Sequence, residues 1–218
     1  MDVFEDRGEA GRHLAQALGA VPELSGKGRR VVVLAIPRGG VPVGVEVART
    51  LGAKVAIAVI RKLRAPGNLE LGYGAVGPDG FVEVDQGLVA RLGLTQEQID
   101  AEVVDRHAAV GRRLALYRQV ADAVELSGAT VVVVDDGIAT GSTARWAIDY
   151  ARRAGALAVV LAVPVAPRAV VEELGAAVDQ IVVLSQPAEF LAVSQAYRDF
   201  AQLDDADVLE ELGGMTTS

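Results

Sequence analysis

The sequence predicts an α/β protein built on a doubly wound, mainly parallel sheet. Two observations carry that prediction: short valine-rich runs recur along the chain, and segments with helical spacing separate them. Runs that are apolar throughout, rather than alternating, belong to strands covered on both faces, as in a parallel sheet between two helical layers. With 218 residues, 51% of them hydrophobic, the chain can bury a full core. The length suits one main domain, 1–218, with an elaboration.

Strands are expected at Val31 to Ile36, Val55 to Ile60, Val131 to Val134 and Ala158 to Val163, with a weaker one at Ile181 to Leu184. Helices are expected at Val43 to Leu51, Ala144 to Ala154 and Pro167 to Leu174, with Pro167 at the first helical position. The alternation βαβα is what makes the sheet doubly wound. Residues 61–87 break the rhythm: Pro66, Pro78, Gly72, Gly74, Gly77 and Gly80 interrupt any period, which predicts a long flexible loop or hairpin. Thr95 to Val124 predicts a long helix opened by a Thr95–Gln98 capping box. Its apolar residues Ile99, Val103, Val110, Leu114 and Tyr117 suit packing or contact between copies of a homo-oligomer. The tail, 185–218, mixes aromatics with an acidic helix-like stretch, Asp204 to Leu212.

A formal net charge of −8 argues against nucleic acid or an anionic membrane as partner, because both need a cationic surface. The absence of cysteine removes disulfides, thiolate metal sites and a cysteine nucleophile. No apolar run reaches the length of a membrane span and the charged N-terminus lacks a signal-peptide core, so a cytoplasmic protein is expected. The histidines, His13 and His107, have no partner at triad spacing, and Trp146 reads as core.

In doubly wound sheets ligands bind at the carboxyl ends of strands, so the residues that follow each strand hold the information. After Val131 to Val134 come Asp135, Asp136, Gly137, Ile138, Ala139, Thr140, Gly141, Ser142 and Thr143, opening a helix. Backbone amides at such a turn, with the hydroxyls of Thr140, Ser142 and Thr143, form a cradle for a phosphate. The carboxylates must then face something else, and sugar hydroxyls or a Mg²⁺ ion would satisfy them. No lysine follows Gly141, which excludes a Walker A loop. After the first strand stands Pro37-Arg38-Gly39-Gly40, where paired glycines let the backbone approach an oxyanion and Arg38 adds a cation. No GxGxxG occurs there, which disfavours a dinucleotide oxidoreductase. Third, Arg61 and Lys62 close the expected second strand and lead into the glycine-rich segment.

The pattern of apolar strand, two acids and glycine- and threonine-rich turn resembles the phosphoribosyl-diphosphate (PRPP) motif of the type I phosphoribosyltransferases. VDDGIATG at Val134 to Gly141 and RKLRAPGNLE from Arg61 resemble bacterial phosphoribosyltransferase-like proteins in particular. The resemblance implies that Asp135 and Asp136 lie by the ribose hydroxyls and hold Mg²⁺ directly or through water, and that Gly137 to Thr143 bind the 5-phosphate. It further implies that Arg38, Gly39, Gly40 and Arg61 bind pyrophosphate, with a strained peptide bond at Arg38-Gly39. Asp135, Asp136, Arg61 and Lys62 would be the catalytic set, under a mobile basic lid. A hood built from the chain ends would receive the acceptor, with Phe190, Tyr197 and Phe200 as packing or stacking residues. Enzymes for 6-oxopurines place an aspartate where this chain has Ala139. The expected activity is Mg²⁺-dependent transfer of phosphoribosyl from PRPP to an unidentified nucleobase or amine. The alternative is a non-catalytic PRPP-sensing regulator or partner-binding protein.

Overall fold

The computed structural model describes residues 3–26 and 28–215, and of residues 68–70 the backbone alone. The outermost residues of both expected chain-end segments, and the side chains that close the RKLRAPGNLE motif, lie outside that description. The chain divides into two compact units, Met1–Ile57 with Val120–Ser218, and Ala58–Gln119, where its length suggests one main domain.

Elements follow one another in the expected alternation. Asp6, in an extended conformation, accepts the Glu9 N–H and so caps α1 (Arg7–Leu18), whose Ala10, Leu14 and Leu18 are buried. Then come β1 (Val31–Ala35), α2 (Gly40–Leu51) and β2 (Lys54–Ile57). Gly52 ends α2 with a φ of 61°, a conformation that glycine adopts without steric cost. The second unit holds β3 (Arg61–Ala65), β4 (Asn68–Val76), β5 (Val82–Val84), α3 (Gln86–Leu92) and α4 (Gln96–Tyr117). The first unit resumes with β6 (Thr130–Val134), α5 (Ser142–Arg153), β7 (Ala158–Val165), α6 (Arg168–Gly175), β8 (Gln180–Ser185) and α7 (Asp205–Gly213). The Thr95–Gln98 capping box opens α4 as expected, and Asp204 with Asp207 forms another at α7. Pro167 is the cap of α6 rather than its first residue, with an extended ψ of 143°. Trp146, expected in the core, is only half-buried.

The first unit is a five-stranded parallel sheet in the order β2-β1-β6-β7-β8. Every residue of β6 is buried and nearly all of β1 and β7, while the edge strands β2 and β8 are partly exposed. That gradient is why the central runs read as unbroken hydrophobicity. On one face α1 crosses α2 at Gly11, where a Cβ would lie 2.8 Å from Glu46 Cβ and 2.9 Å from the Val43 carbonyl oxygen.

Segment 61–87 is more regular than its composition suggests. As the hairpin reading expects, β3 and β4 pair antiparallel, and β5 extends them to a three-stranded sheet, with Leu63, Tyr73, Ala75, Val76 and Phe81 buried. Its glycines answer to packing: a Cβ on Gly74 would lie 2.2 Å from the Glu83 carbonyl oxygen on the paired strand.

The α1–α2 crossing makes a prediction. Alanine is the better helix former by about 1 kcal/mol, yet Gly11→Ala should lower stability by roughly 1–3 kcal/mol because its methyl meets backbone that cannot yield. Thermal melting of the variant checks this, and a raised Tm would show that the helices do not approach so closely.

Candidate functional site

Strand order locates the site. From β1 the chain moves outward to β2 and later returns on the other side as β6, so the winding reverses between β1 and β6. A crevice opens at the carboxyl ends of strands at such a switch point. The loop after β1 carries Arg38, Gly39 and Gly40, and the loop after β6 carries Asp135 and Asp136. The Ile36 N–H donates to the Val134 carbonyl at 2.8 Å and joins the two loops at their base. A Cβ on Gly39 would lie 1.9 Å from Asp136 Oδ2, and one on Gly40 would lie 2.8 Å from Asp135 Cα. Both glycines are therefore required by the acids of the other loop.

Each loop runs into a helix whose first turn is not capped by a side chain. The residue before α2 is Gly39, and the residue before α5 is Gly141, in the left-handed region at φ 80°. The α5 N-terminus favours an anionic ligand, whereas at α2 the Gly40 and Val41 N–H groups already donate to the Ile36 and Arg38 carbonyls and the third residue is Pro42. Ala139 and Thr140 are exposed, and Ser142 and Thr143 half-buried. Ile138 is not available to a phosphate, because its N–H donates to the Val165 carbonyl at 2.9 Å and its side chain is buried. Gly137 is enclosed by Val165 and Val193. The open part of the expected cradle is thus Ala139 to Thr143.

The acidic pair has an intramolecular partner that sequence reading misses. Arg7 Nε donates to Asp136 Oδ2 at 2.8 Å, with both side chains nearly buried. Arg7 Nη1 donates to the Ala201 carbonyl at 2.9 Å, and the guanidinium carbon lies 3.9 Å from the centre of the Phe200 ring. Tyr197 stacks on Phe200 at 5.0 Å between centroids and donates its hydroxyl to the Asp136 carbonyl at 2.6 Å. Phe200 is thus in contact with both the Arg7 guanidinium and the Tyr197 ring. Residues near the chain start pair with the same segment: Phe4 N–H donates to Ala196 O, and Arg198 N–H to Phe4 O. Phe190 packs on the cluster formed by Phe4, Val165, Ala196 and Tyr197. No local motif marks Arg7; only its place at a helix start, far in sequence from its partners, could have pointed to it.

Burial pushes the Asp135 carboxyl well above the usual carboxylate range, and the neighbouring Asp136 charge adds to this. Burial also raises Asp136, with Arg7 opposing. The Asp136 N–H donates to Asp135 Oδ1 at 2.9 Å, which orients that carboxyl. Beside the pair lies an open cleft of 300 Å³ lined by Arg7, Arg38, Gly39, Asp136, Phe200, Gln202 and Leu203.

Among the described residues no group of three or more His, Cys, Asp or Glu side chains could hold a metal alone. Two carboxylates, one already paired with Arg7, are what Mg²⁺ accepts when it keeps its waters and shares substrate oxygens. The donor set fits Mg²⁺ on those terms.

Arg61 and Lys62 do not end a strand of the parallel sheet: β2 stops at Ile57, and Arg61 begins β3 in the second unit by pairing with Val76. The unusual peptide bond is the cis bond Pro37-Arg38, not Arg38-Gly39.

A pH prediction follows from the raised Asp135. Its folded pKa lies above the unfolded value, so the unliganded protein gains stability as pH falls through the folded pKa toward the unfolded value, and loses it as pH rises back through the folded pKa. Asp135→Asn should therefore raise the Tm at neutral pH and flatten that slope. A lowered Tm at neutral pH would mean that the carboxylate serves the core.

Known proteins share this geometry. The crystal structure of TT1426 from Thermus thermophilus superposes with a TM-score of 0.85 at 37% identity, covering 97% of this chain and 98% of that one. MT0597 and Rv0571c, from two strains of Mycobacterium tuberculosis and provisionally named phosphoribosyl transferases, are each 44% identical over 209 residues, 96% of this chain. The chain spans 46% of the length of those relatives. The family model described as the phosphoribosyl transferase domain matches residues 6–184. With that match over most of its length, on a sheet whose switch point carries the acidic and glycine-rich loops, the chain belongs to the phosphoribosyl transferase domain family.

Proposed function

We propose that the chain transfers the 5-phosphoribosyl group of PRPP to a nitrogenous base or amine, with release of pyrophosphate, in a Mg²⁺-dependent reaction. The observation that supports this reading is the meeting of the glycine-rich loop after β1 with the uncapped N-terminus of α5 around the acidic pair at the switch point. A ligand with one phosphate group at each end and a polyhydroxylated ring between them matches that order of charges. In this reading Ala139 to Thr143 hold the 5-phosphate through backbone N–H groups and the hydroxyls of Thr140, Ser142 and Thr143. Gly137 and Ile138 shape the turn. Arg38, Gly39 and Gly40 receive the pyrophosphate.

The reaction breaks the bond from ribose C1 to a pyrophosphate oxygen and forms one from C1 to the acceptor nitrogen, which releases its proton. Positive charge develops on the ribose ring and negative charge on the leaving group. In this reading Asp135 and Asp136 stabilise the first, and Arg38 stabilises the second. When bound, Mg²⁺ supplies further neutralisation of the diphosphate oxygens. In this reading Gln202 and Leu203, which line the cleft, face the acceptor.

Calorimetry with PRPP tests the binding half. Affinity should depend on Mg²⁺, and Asp135→Asn should weaken it roughly tenfold or more; affinity unchanged by chelation would contradict the metal role. A panel of oxopurines, adenine, pyrimidines and small amines, followed by pyrophosphate release, tests the chemistry. Ala139 offers no general base where 6-oxopurine enzymes have one, so hypoxanthine, guanine and xanthine should turn over at least about a hundredfold more slowly than the best acceptor. Hypoxanthine or guanine as best acceptor would remove that meaning from Ala139. Tight PRPP binding without release for any acceptor would favour a sensor.

A further inference from the structure

We infer that Arg7 is a positioning residue that latches the C-terminal segment 197–203 to the acidic pair, so that the order of this segment depends on the state of Asp136. Three parts of the chain converge on one guanidinium: the start of α1, the loop after β6 and the segment after Tyr197. Nε holds the Asp136 carboxylate at 2.8 Å, Nη1 holds the Ala201 carbonyl at 2.9 Å, and the flat face covers Phe200 at 3.9 Å. Arg7 is 9% exposed, so each of these contacts is made with little water to replace it. Lysine could not reproduce them, because it lacks both the fork and the plane. The same segment reaches Asp136 a second time through the Tyr197 hydroxyl on its carbonyl. Asp136 is thus held by side chain and by backbone, and its carboxylate cannot turn to a ligand without releasing Arg7.

Two consequences separate the acids. Asp136 is charge-balanced within the fold and serves as a strut. Asp135 receives no guanidinium among the described residues, so it is the carboxylate left to a ligand. Because Phe200, Gln202 and Leu203 line the cleft with Asp136, the latch also sets the position of the wall assigned above to the acceptor. This last point rests on the transferase reading; the latch itself does not.

Amide hydrogen exchange of the full chain tests the latch without any ligand. In Arg7→Met, exchange over 197–203 should quicken about tenfold or more while β6 and β7 keep their protection, because removing one partner strands a buried charge. Asp136→Asn should loosen the same segment, and Arg7→Lys should restore only part of the protection. The double variant Arg7→Met with Asp136→Asn should be no faster than Arg7→Met alone, the mark of two groups acting as one unit. Unchanged exchange at 197–203 in either single variant, or additive effects in the double, would overturn the proposal. So would equal loosening of the whole sheet, and should Arg7→Met fail to fold, the Asp136→Asn and Arg7→Lys profiles decide alone. With Mg²⁺ and PRPP added, exchange at 197–203 should change in the wild type and less in Arg7→Lys. A wild type that binds no PRPP would discard the transferase reading and leave the ligand-free result to judge the latch.

Discussion

A carboxylate at the mouth of a fully buried strand must be given a counter-charge or a ligand, because desolvation otherwise drives it to its neutral form. The two aspartates after β6 meet that constraint differently. Asp136 is met from within by Arg7, at 2.8 Å. Asp135 is left with a raised proton affinity and a hydrogen bond from the next residue's N–H. A protein that carries such a group without a counter-charge bears a stability cost, and costs of this kind concentrate where a ligand binds. Much of the architecture around the sheet end is arranged to meet this constraint: α1 brings Arg7, the C-terminal segment accepts its other donor, and Gly39 and Gly40 leave room for both acids.

The close approach of the two loops explains why their residue types are coupled. Gly39 stands against Asp136 and Gly40 against Asp135, so a side chain at either glycine would displace the acid it faces. The arrangement is rigid in the sense useful to a binding site: strand-end carbonyls, a buried ion pair and tight backbone contacts fix the donors and acceptors before a ligand arrives. The aromatic cluster of Phe4, Tyr197 and Phe200 belongs to this scaffold. Phe200, in contact with Arg7 and Tyr197, lines the cleft beside Gln202.

What can be read from the sequence is local. The valine runs form β1, β6 and β7 because central strands of a parallel sheet are buried on both faces, and the Asp135 to Thr143 turn is visible because strand, acids and helix start are contiguous. Arg7 is invisible because its partners lie 129 and 194 residues away and nothing in the N-terminal pattern marks one arginine. Segment 61–87 misleads for a different reason. Glycine usually punctuates structure, but at Gly74 it is demanded by a neighbouring strand's carbonyl, so a sign of irregularity marks a tightly packed sheet. Arg61 and Lys62 read as a strand end because Val55 to Ile60 is apolar throughout, whereas parallel pairing ends at Ile57.

The central claim is that the two loops at the β1–β6 switch point bind the two phosphate ends of one ligand. A crystal structure of the protein soaked with PRPP and Mg²⁺ tests it most directly. The account predicts the 5-phosphate against Ala139 to Thr143, the diphosphate against Arg38 to Gly40, and the ribose hydroxyls within hydrogen-bond distance of Asp135, with Arg7 still joined to Phe200. Density for PRPP elsewhere on the protein, or a ligand in the cleft that leaves the Arg38 to Gly40 loop and the α5 N-terminus uncontacted, would contradict it.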